Sequence, residues 1–287
     1  MYWQRSRRLE TPRQGLGVAN HAAAEGAVTV VIVNFRTPHL TESAARSALA
    51  QPETALVVIV DNCSADESVE FLRRAFSSES RISILESNRN VGFGAGNNHA
   101  TRSARTPFLF LLNSDAVLHP GALAALLSCW GTVDRPGALA PVVFCADGKT
   151  KQKDAVGRFP TPFRLISRRL AVADDCTQPD YVSGCAILVD RMKFESLGGF
   201  DERFFMYFED VDLCRRLRDD RLTIHRCPSA AVTHLGGQSY RRRGPQKADY
   251  VTAQDLLLRK HGAGSVAMLA VRLARGAQRA LPWRNHA

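Results

Sequence analysis

Residues 28–36 read Val-Thr-Val-Val-Ile-Val-Asn-Phe-Arg. The first six are β-branched and largely apolar on both faces of an extended chain, and the run then breaks into polar residues. That is how a strand reads when it is covered on both sides within a parallel sheet. Similar runs follow at Ala55–Val60, Arg81–Leu85 and Pro107–Leu112, with helix-like segments at 40–50, 66–76 and 94–104 between them. Alternating strand and helix predict right-handed βαβ units, hence an α/β fold with a Rossmann-like, mostly parallel sheet flanked by helices.

Beyond this frame the pattern predicts a helix after Pro120 and strands at Ala138–Phe144 and Tyr181–Val189. Residues 146–180 carry little periodicity and are expected to form a loop or mobile insertion. An apolar, β-branched stretch, Leu222–Leu235, is broken at Pro228, and a helix over Lys247–Lys260 is stopped by Gly262. In Ser265–Leu281, the residues Val266, Leu269, Leu273, Ala277 and Leu281 share one helical face and Arg272, Arg275 and Arg279 another. Such a basic amphipathic helix docks either on an anionic membrane surface or on its own domain. The expected organisation is a disordered extension over 1–26, one domain over 27–262 and a basic amphipathic helix within 263–287.

The chain has 287 residues, 45% hydrophobic and 23% charged, enough for a sizeable core and incompatible with global disorder. No apolar run approaches the roughly 20 residues of a spanning helix, and the start lacks the apolar segment of a secretion signal. The seven cysteines are odd in number and no two are spaced as Cys-x-x-Cys. A zinc site or disulfide framework is therefore not expected, and a reducing cytoplasm fits best, with the inner face of the cell membrane as the alternative placement. Net charge is +10, unevenly spread: from Arg215 onward 15 Lys and Arg face 4 Asp and Glu. Such a basic quarter attracts anionic membranes, nucleic acid or phosphorylated ligands.

Open parallel sheets bind ligands beyond the carboxyl ends of their strands. Here those ends read Asn34-Phe35-Arg36, Asp61-Asn62-Cys63-Ser64, Asn88 to Gly94, and Asn113-Ser114-Asp115. Any one of them fits a turn; four converging ends are harder to explain as turns alone. Asp115, three residues past an apolar strand, is placed either to cap a turn before Pro120 or to hold a hard divalent cation whose shell substrate phosphates complete. Later, Glu209, Asp210 and Asp212 follow Phe204, Phe205, Tyr207 and Phe208, which partly desolvate them. Desolvation raises a carboxyl pKa and makes its anion a better base, although acids followed by arginines also suit a helix dipole. His234 ends the late β-like stretch.

Together these residues make the chain resemble the inverting family 2 glycosyltransferases of the GT-A fold, most of all their rhamnosyltransferase-like branch. The resemblance spans roughly residues 27–262. It is carried by Val-Ile-Val-Asn-Phe at 31–35, Val-Asp-Asn-Cys-Ser at 60–64 and Asn-Val-Gly-Phe-Gly-Ala-Gly-Asn-Asn at 90–98. Leu-Leu-Asn-Ser-Asp at 111–115, Gly-Gly-Phe-Asp-Glu at 198–202, Phe-Glu-Asp-Val-Asp-Leu at 208–213 and His234 also match. The resemblance implies that Asn34, Arg36, Asp61, Asn90, Gly92, Asn97, Asn113 and Ser114 line the nucleotide-sugar pocket. It implies Asp115 and His234 as ligands of Mg2+ or Mn2+, and Asp210 as the base, with Asp212 close enough to compete. Glu209, Asp212, Gly184 and Asp201 fall on the acceptor side. Asn113 stands where the family often has Asp, which lowers the negative charge of the site.

The implied reaction moves a sugar, with rhamnose favoured, from a dTDP or UDP donor to a hydroxyl of a lipid-linked or surface-polysaccharide acceptor. Arg241, Arg242 and Arg243 are either a basic loop closing on the diphosphate or a solvated charge run. A nucleotidyl transferase would need a glycine-rich phosphate loop after the first strand, which Asn34-Phe35-Arg36-Thr37-Pro38 does not supply. The alternative is a non-enzymatic membrane- or nucleic-acid-binding module using the basic quarter. No nucleic-acid-binding motif accompanies that charge, so nucleic acid is not an expected partner.

Overall fold

The computed structural model describes residues 25–167, 169–236 and 247–279. Its first half comprises β1 (Val28–Asn34), α1 (Pro38–Leu49), β2 (Thr54–Asp61), α2 (Ser68–Ala75), β3 (Ile82–Glu86), α3 (Phe93–Thr101) and β4 (Phe108–Asn113). Then come β5 (Ala116–Leu118), α4 (Ala122–Thr132), β6 (Pro136–Phe144), a short 3-10 turn (Lys153–Ala155), β7 (Val156–Gly157), α5 (Pro162–Ser167), β8 (Tyr181–Val182) and β9 (Ala186–Asp190). The chain continues through α6 (Arg191–Ser196), α7 (Glu209–Asp219), β10 (Thr223–His234), α8 (Lys247–Lys260) and α9 (Ser265–Arg279).

One eight-stranded sheet has the order β3-β2-β1-β4-β9-β6-β10-β5, and β7 and β8 pair separately. The strands β3, β2, β1 and β4 are parallel, as their two-sided apolar character predicts. Val30, Ile32, Phe110 and Leu112 pack under α1 and α4 beside Ala44, Leu123 and Leu126. Val31, Leu109 and Leu111 alternate to the other face, against Ala100, Phe200 and Leu213. Full burial of side chains such as Phe110 and Leu111 stabilises by roughly 1.5–3 kcal/mol each. Register sets Asn34 level with Asp61 and Val33 level with Asn113, so the polar strand ends lie side by side.

Several expectations change. The insertion over 146–180 carries a 3-10 turn, β7 and α5, because it folds back on the sheet through non-periodic contacts that composition does not reveal. Tyr181–Val189 is two strands: β8 pairs with β7, β9 runs antiparallel between β4 and β6, and Ser183-Gly184-Cys185 turns between them. Pro228 does not break β10; the register against β6 slips between Cys227 and Ala231, and this bulge absorbs the proline. Cys129 on α4 and Cys227 on β10 form a disulfide, against the expectation from spacing, because α4 packs on β10 and joins residues 98 apart in sequence.

Helix α9 forms as expected, but its buried stripe differs. Met268 and Val271 pack with Leu258 and Leu165, while Val266, Leu269 and Leu273 stay exposed. Arg272 and Arg275 reach Asp255 of α8 at 3.1 and 2.7 Å, so the basic face meets its own domain. Most of 1–26, the Arg241–Arg243 run, Leu281 and the side chains of Ala277 and Arg279 lie outside the described residues. Among the described residues no helix is long and apolar enough to cross a membrane.

Candidate active site

The ends of β1, β2 and β4 are locked by a buried polar network. Asn34 Nδ2 donates to Asp61 Oδ1 at 2.7 Å, and Thr41 Oγ1 donates to Asn34 Oδ1 at 2.7 Å. Asp61 also accepts from Ser64 N at 2.9 Å and from Ser64 Oγ at 2.5 Å. Arg36, in the left-handed region at φ 58°, donates from N to Ser64 Oγ and from Nε to Ser64 O, both at 2.9 Å. Thr37 Oγ1 donates to Ser114 Oγ at 3.1 Å, bringing in the β4 end. The structure thus joins Asn34, Arg36, Asp61 and Ser114. The supporting hydroxyls of Thr37 and Thr41 had no signal in the sequence, since threonines at a helix start are ordinary.

Asn90 and Gly92 form the adjoining wall. Asn62 Nδ2 donates to Asn90 Oδ1 and to Gly92 O at 3.1 Å, and its Oδ1 accepts from Val91 N at 3.0 Å. Gly92 has φ +89°, and a Cβ there would stand 2.2 Å from Phe205 O, so only glycine fits. Asn97 is buried and donates to Phe93 O at 2.9 Å within its own helix, so its side chain supports the wall. Asn98 holds Phe200 by both backbone groups at 2.9 Å, tying the glycine-rich motif to Gly-Gly-Phe-Asp-Glu.

Asp115 and His234 are 119 residues apart and meet because β5 pairs antiparallel with β10, setting His234 opposite Ala116. His234 Nε2 lies 3.1 Å from Asp115 Oδ1 and 3.2 Å from Asn113 Nδ2; Asp115 and His234 are buried and Asn113 is half-buried. Among the described residues no third His, Cys, Asp or Glu completes a metal-sized cluster. One carboxylate and one imidazole supply two ligands, a donor set that fits a divalent cation whose remaining positions go to phosphate oxygens or water.

The acids of α7 divide sharply. Asp210 Oδ2 accepts from Gly184 N at 2.7 Å and Oδ1 from Val211 N at 2.7 Å, and the residue keeps partial access to solvent. Burial pushes its carboxyl above the ordinary range against those two N–H groups. Glu209 is buried, its Oε2 has no hydrogen-bond partner, and burial and then Asp210 push its pKa well up. Asp212 is fully enclosed; burial alone would raise it, but His261, Lys260 and Arg216 hold it below the usual range. Its contacts are Arg216 Nε at 2.7 Å, Lys260 Nζ at 2.7 Å and His261 Nε2 at 3.0 Å. Lys260 also reaches Asp201 at 2.7 Å, and Arg203 reaches Asp201 at 2.6 Å. Asp201 and Asp212 therefore anchor α8, while Asp210 keeps a carboxylate facing the crevice turn at Gly184. Lys260 and His261 carried no sequence signal, standing at an ordinary helix end.

The two centres share one turn. Gly184 N binds Asp210, and Cys185 O accepts from Asn113 N at 2.9 Å beside the Asp115–His234 pair. The Cys185 thiol, pushed up to about 12 mainly by burial, also feels both Asp210 and Asp115. A carboxylate of raised basicity thus sits one turn from the Asp115–His234 pair, near the polar ends of β1, β2 and β4.

Comparison with known proteins agrees with this geometry. The glycosyl transferase family 2 profile matches residues 29–198. An N-acetylglucosaminyl-diphospho-decaprenol L-rhamnosyltransferase of Mycobacterium tuberculosis is 29% identical over 233 residues, covering 71% of this chain and 75% of that protein. The rhamnosyltransferase WbbL of Escherichia coli is 26% identical over 50% of this chain and 60% of its own length. Among solved structures, the mannosyltransferase PcManGT from Pyrobaculum calidifontis, in complex with GDP-Man and Mn2+, superposes with a TM-score of 0.57. It is 18% identical, over 95% of this chain and 80% of that one, and the shared architecture is the GT-A fold.

Proposed function

The chain belongs to glycosyl transferase family 2, and from that premise we propose that it is an inverting, divalent-cation-assisted rhamnosyltransferase using a dTDP- or UDP-linked sugar. The acceptor is a hydroxyl of a lipid-linked or surface glycan, a reading supported by the mycobacterial relative's name. The observation that carries the proposal is the pairing of Asp115 with His234 at 3.1 Å, one turn from Asp210.

In this reading Asn34, Asp61, Asn90 and Gly92 shape the cleft for the nucleoside, with Arg36 and Ser114 at its rim. Asn113, Asp115 and His234 face the diphosphate. A divalent cation held by Asp115 and His234 would supply Lewis-acid stabilisation of the leaving diphosphate. Asp210 takes the acceptor hydroxyl proton as that oxygen bonds the anomeric carbon, and the bond from carbon to diphosphate oxygen breaks on the opposite face. Configuration inverts, and the proton ends on Asp210. The raised basicity of Asp210 supports this role, whereas the enclosure of Asp212 by Arg216, Lys260 and His261 supports a structural role for it. Glu209, Gly184 and Asp201 build the acceptor side from behind, Glu209 by filling a buried slot and Asp201 through Lys260.

Membrane contact is proposed for α9. Val266, Leu269 and Leu273 are exposed by 85, 58 and 65% on a helix that has no acidic residue, which supports docking on an anionic lipid surface where such an acceptor resides.

The test is transfer of labelled rhamnose from its dTDP donor to a polyprenyl-diphosphate N-acetylglucosamine, with dTDP-glucose and UDP-N-acetylglucosamine as competing donors. Labelled disaccharide-lipid formed only with added Mg2+ or Mn2+ is the expected result. Equal transfer in excess chelator contradicts the cation assignment, and preference for another donor contradicts the sugar.

A further inference from the structure

Three polar side chains gather around Asp210 away from the Asp115–His234 pair. The β7–β8 ribbon places two of them. Its register sets Gly157 level with Tyr181, and Ala155 O accepts from Ser183 N at 2.8 Å beside the Gly184 amide that holds Asp210. Asp154 stands just before this ribbon on an exposed 3-10 turn. The Tyr181 hydroxyl lies over Gly157, where a Cβ would approach it to 2.6 Å, so the missing side chain leaves it room. Tyr250 of α8 is the third. It is 44% exposed, and its ring centroid lies 5.5 Å from that of Tyr207 and 4.8 Å from that of Phe208. Tyr207 and Phe208 both adopt left-handed backbone, φ 70° and 67°, directly before Glu209 and Asp210. Bulky residues rarely do so, and here the turn sets both rings against Tyr250 next to the base.

Every pair among Asp154, Tyr181, Tyr250 and Asp210 lies within electrostatic reach. Burial pushes the Tyr181 phenol up, and Asp210, Tyr250 and Asp154 push it further. Burial, then Asp154 and Asp210, raise the Tyr250 phenol, and Asp154 adds to the effect of burial on Asp210. Both phenols therefore keep their protons and can donate. Among the described residues, neither phenol nor the Asp154 carboxylate is engaged in a side-chain hydrogen bond or ion pair.

We infer that Tyr207, Tyr250, Tyr181 and Asp154 form the subsite that binds the acceptor sugar beside Asp210, and that it takes an uncharged pyranose; this rests on the transferase reading proposed above. A pyranose has an apolar C–H face and a rim of hydroxyls. Tyr207 and Tyr250 offer a shelf for the face, since a tyrosine is apolar in its body and polar at its tip. The phenols of Tyr181 and Tyr250 donate to the rim, and Asp154 accepts from it. An apolar wall with a few converging polar groups is how small-ligand sites combine affinity with orientation. Asp154 and Asp210 together disfavour an anionic sugar such as a uronic acid. Arg275, which also reaches Tyr250, is already paired with Asp255 at 2.7 Å.

The test measures acceptor and donor dependence separately in the full chain, with dTDP-rhamnose and a short-chain, water-soluble prenyl-diphosphate N-acetylglucosamine. Tyr250→Ala and Asp154→Ala are each expected to raise the acceptor KM by roughly tenfold, the scale of a lost aromatic contact or of a hydrogen bond to a charged group, with donor KM and Tm unchanged. Tyr250→Phe, which keeps the shelf, is expected to fall between. Exchanging the acceptor sugar for glucuronic acid is expected to lower kcat/KM in the wild type, and Asp154→Asn to narrow that gap. An acceptor KM unchanged in folded Tyr250→Ala and Asp154→Ala, or a donor KM that rises in step, overturns the subsite. A wild type that transfers no sugar from dTDP-rhamnose or the competing donors overturns the transferase reading instead. Saturation-transfer NMR with the same acceptor then judges the subsite alone: saturation of the sugar-ring protons that Tyr250→Ala loses supports it, and none in the wild type overturns it.

Discussion

The Gly184 amide donates to Asp210 Oδ2 at 2.7 Å, and a Cβ on residue 184 would stand 3.4 Å from Asp210 Cβ and 3.2 Å from Phe93 Cε1. The carboxylate thus rests against bare backbone, oriented by an N–H that opposes the effect of burial on its basicity. Gly184→Ala is expected to displace Asp210 and lower kcat by roughly 10²-fold, the scale of an ångström-sized misplacement. Steady-state kinetics beside a melting curve check this; unchanged kcat contradicts the placement of the base.

Asp210 and Asp212 separate by their readouts. Asp210→Asn removes a general base, expected to cost roughly 10²–10⁴ in kcat with little change in Tm. Asp212→Asn leaves Lys260, Arg216 and His261 without their shared partner, and breaking such a buried network costs about 3–5 kcal/mol. Denaturant unfolding paired with initial rates distinguishes the two, and the opposite pattern reverses the assignment.

Glu209 gives a pH prediction. Its folded pKa is raised, so the native state holds the proton longer than the unfolded chain. Stability is then lost as pH rises from the ordinary glutamate range toward the folded pKa. Glu209→Gln removes that loss, so its Tm relative to wild type is expected to climb between pH 5 and pH 8. A difference that is flat with pH would show Glu209 ionised in the native state.

The exposed stripe of α9 is tested with vesicles. The Leu269→Ser, Leu273→Ser double variant is expected to weaken co-sedimentation with phosphatidylglycerol vesicles by at least about tenfold, since each leucine side chain buried contributes roughly 1.5–3 kcal/mol. Wild-type chain that ignores such vesicles, with unaltered activity on a water-soluble acceptor, contradicts membrane docking and leaves the chemistry intact.

The frame was legible because β1 to β4 carry their burial in the sequence itself: residues apolar on both faces have only one place to go. The polar residues after those strands were legible because chain direction in a parallel sheet sends them to one edge. The rest depends on contacts that leave no period. β9 is an antiparallel strand inserted between β4 and β6, and Ser183–Cys185 turns a single apolar stretch into two strands. Gln152 sits in a segment without pattern, and only the fold brings its side chain to His234. On α9 the sequence marked the larger apolar residues, yet Met268 and Val271 are the ones that pack, because Arg272 and Arg275 turn the helix toward Asp255. The bond from Cys129 to Cys227 follows from α4 lying on β10, which spacing cannot express.

The central claim is that Asp115 and His234 hold a cation for a nucleotide diphosphate. The most direct measurement is calorimetric titration of the chain with dTDP and UDP, with and without Mn2+, beside Asp115→Ala. The account predicts binding of at least one nucleotide that strengthens more than tenfold with Mn2+, and an Asp115→Ala variant in which that gain disappears while the fold persists. Nucleotide binding of equal strength with and without the metal, or a gain that survives Asp115→Ala, would contradict it.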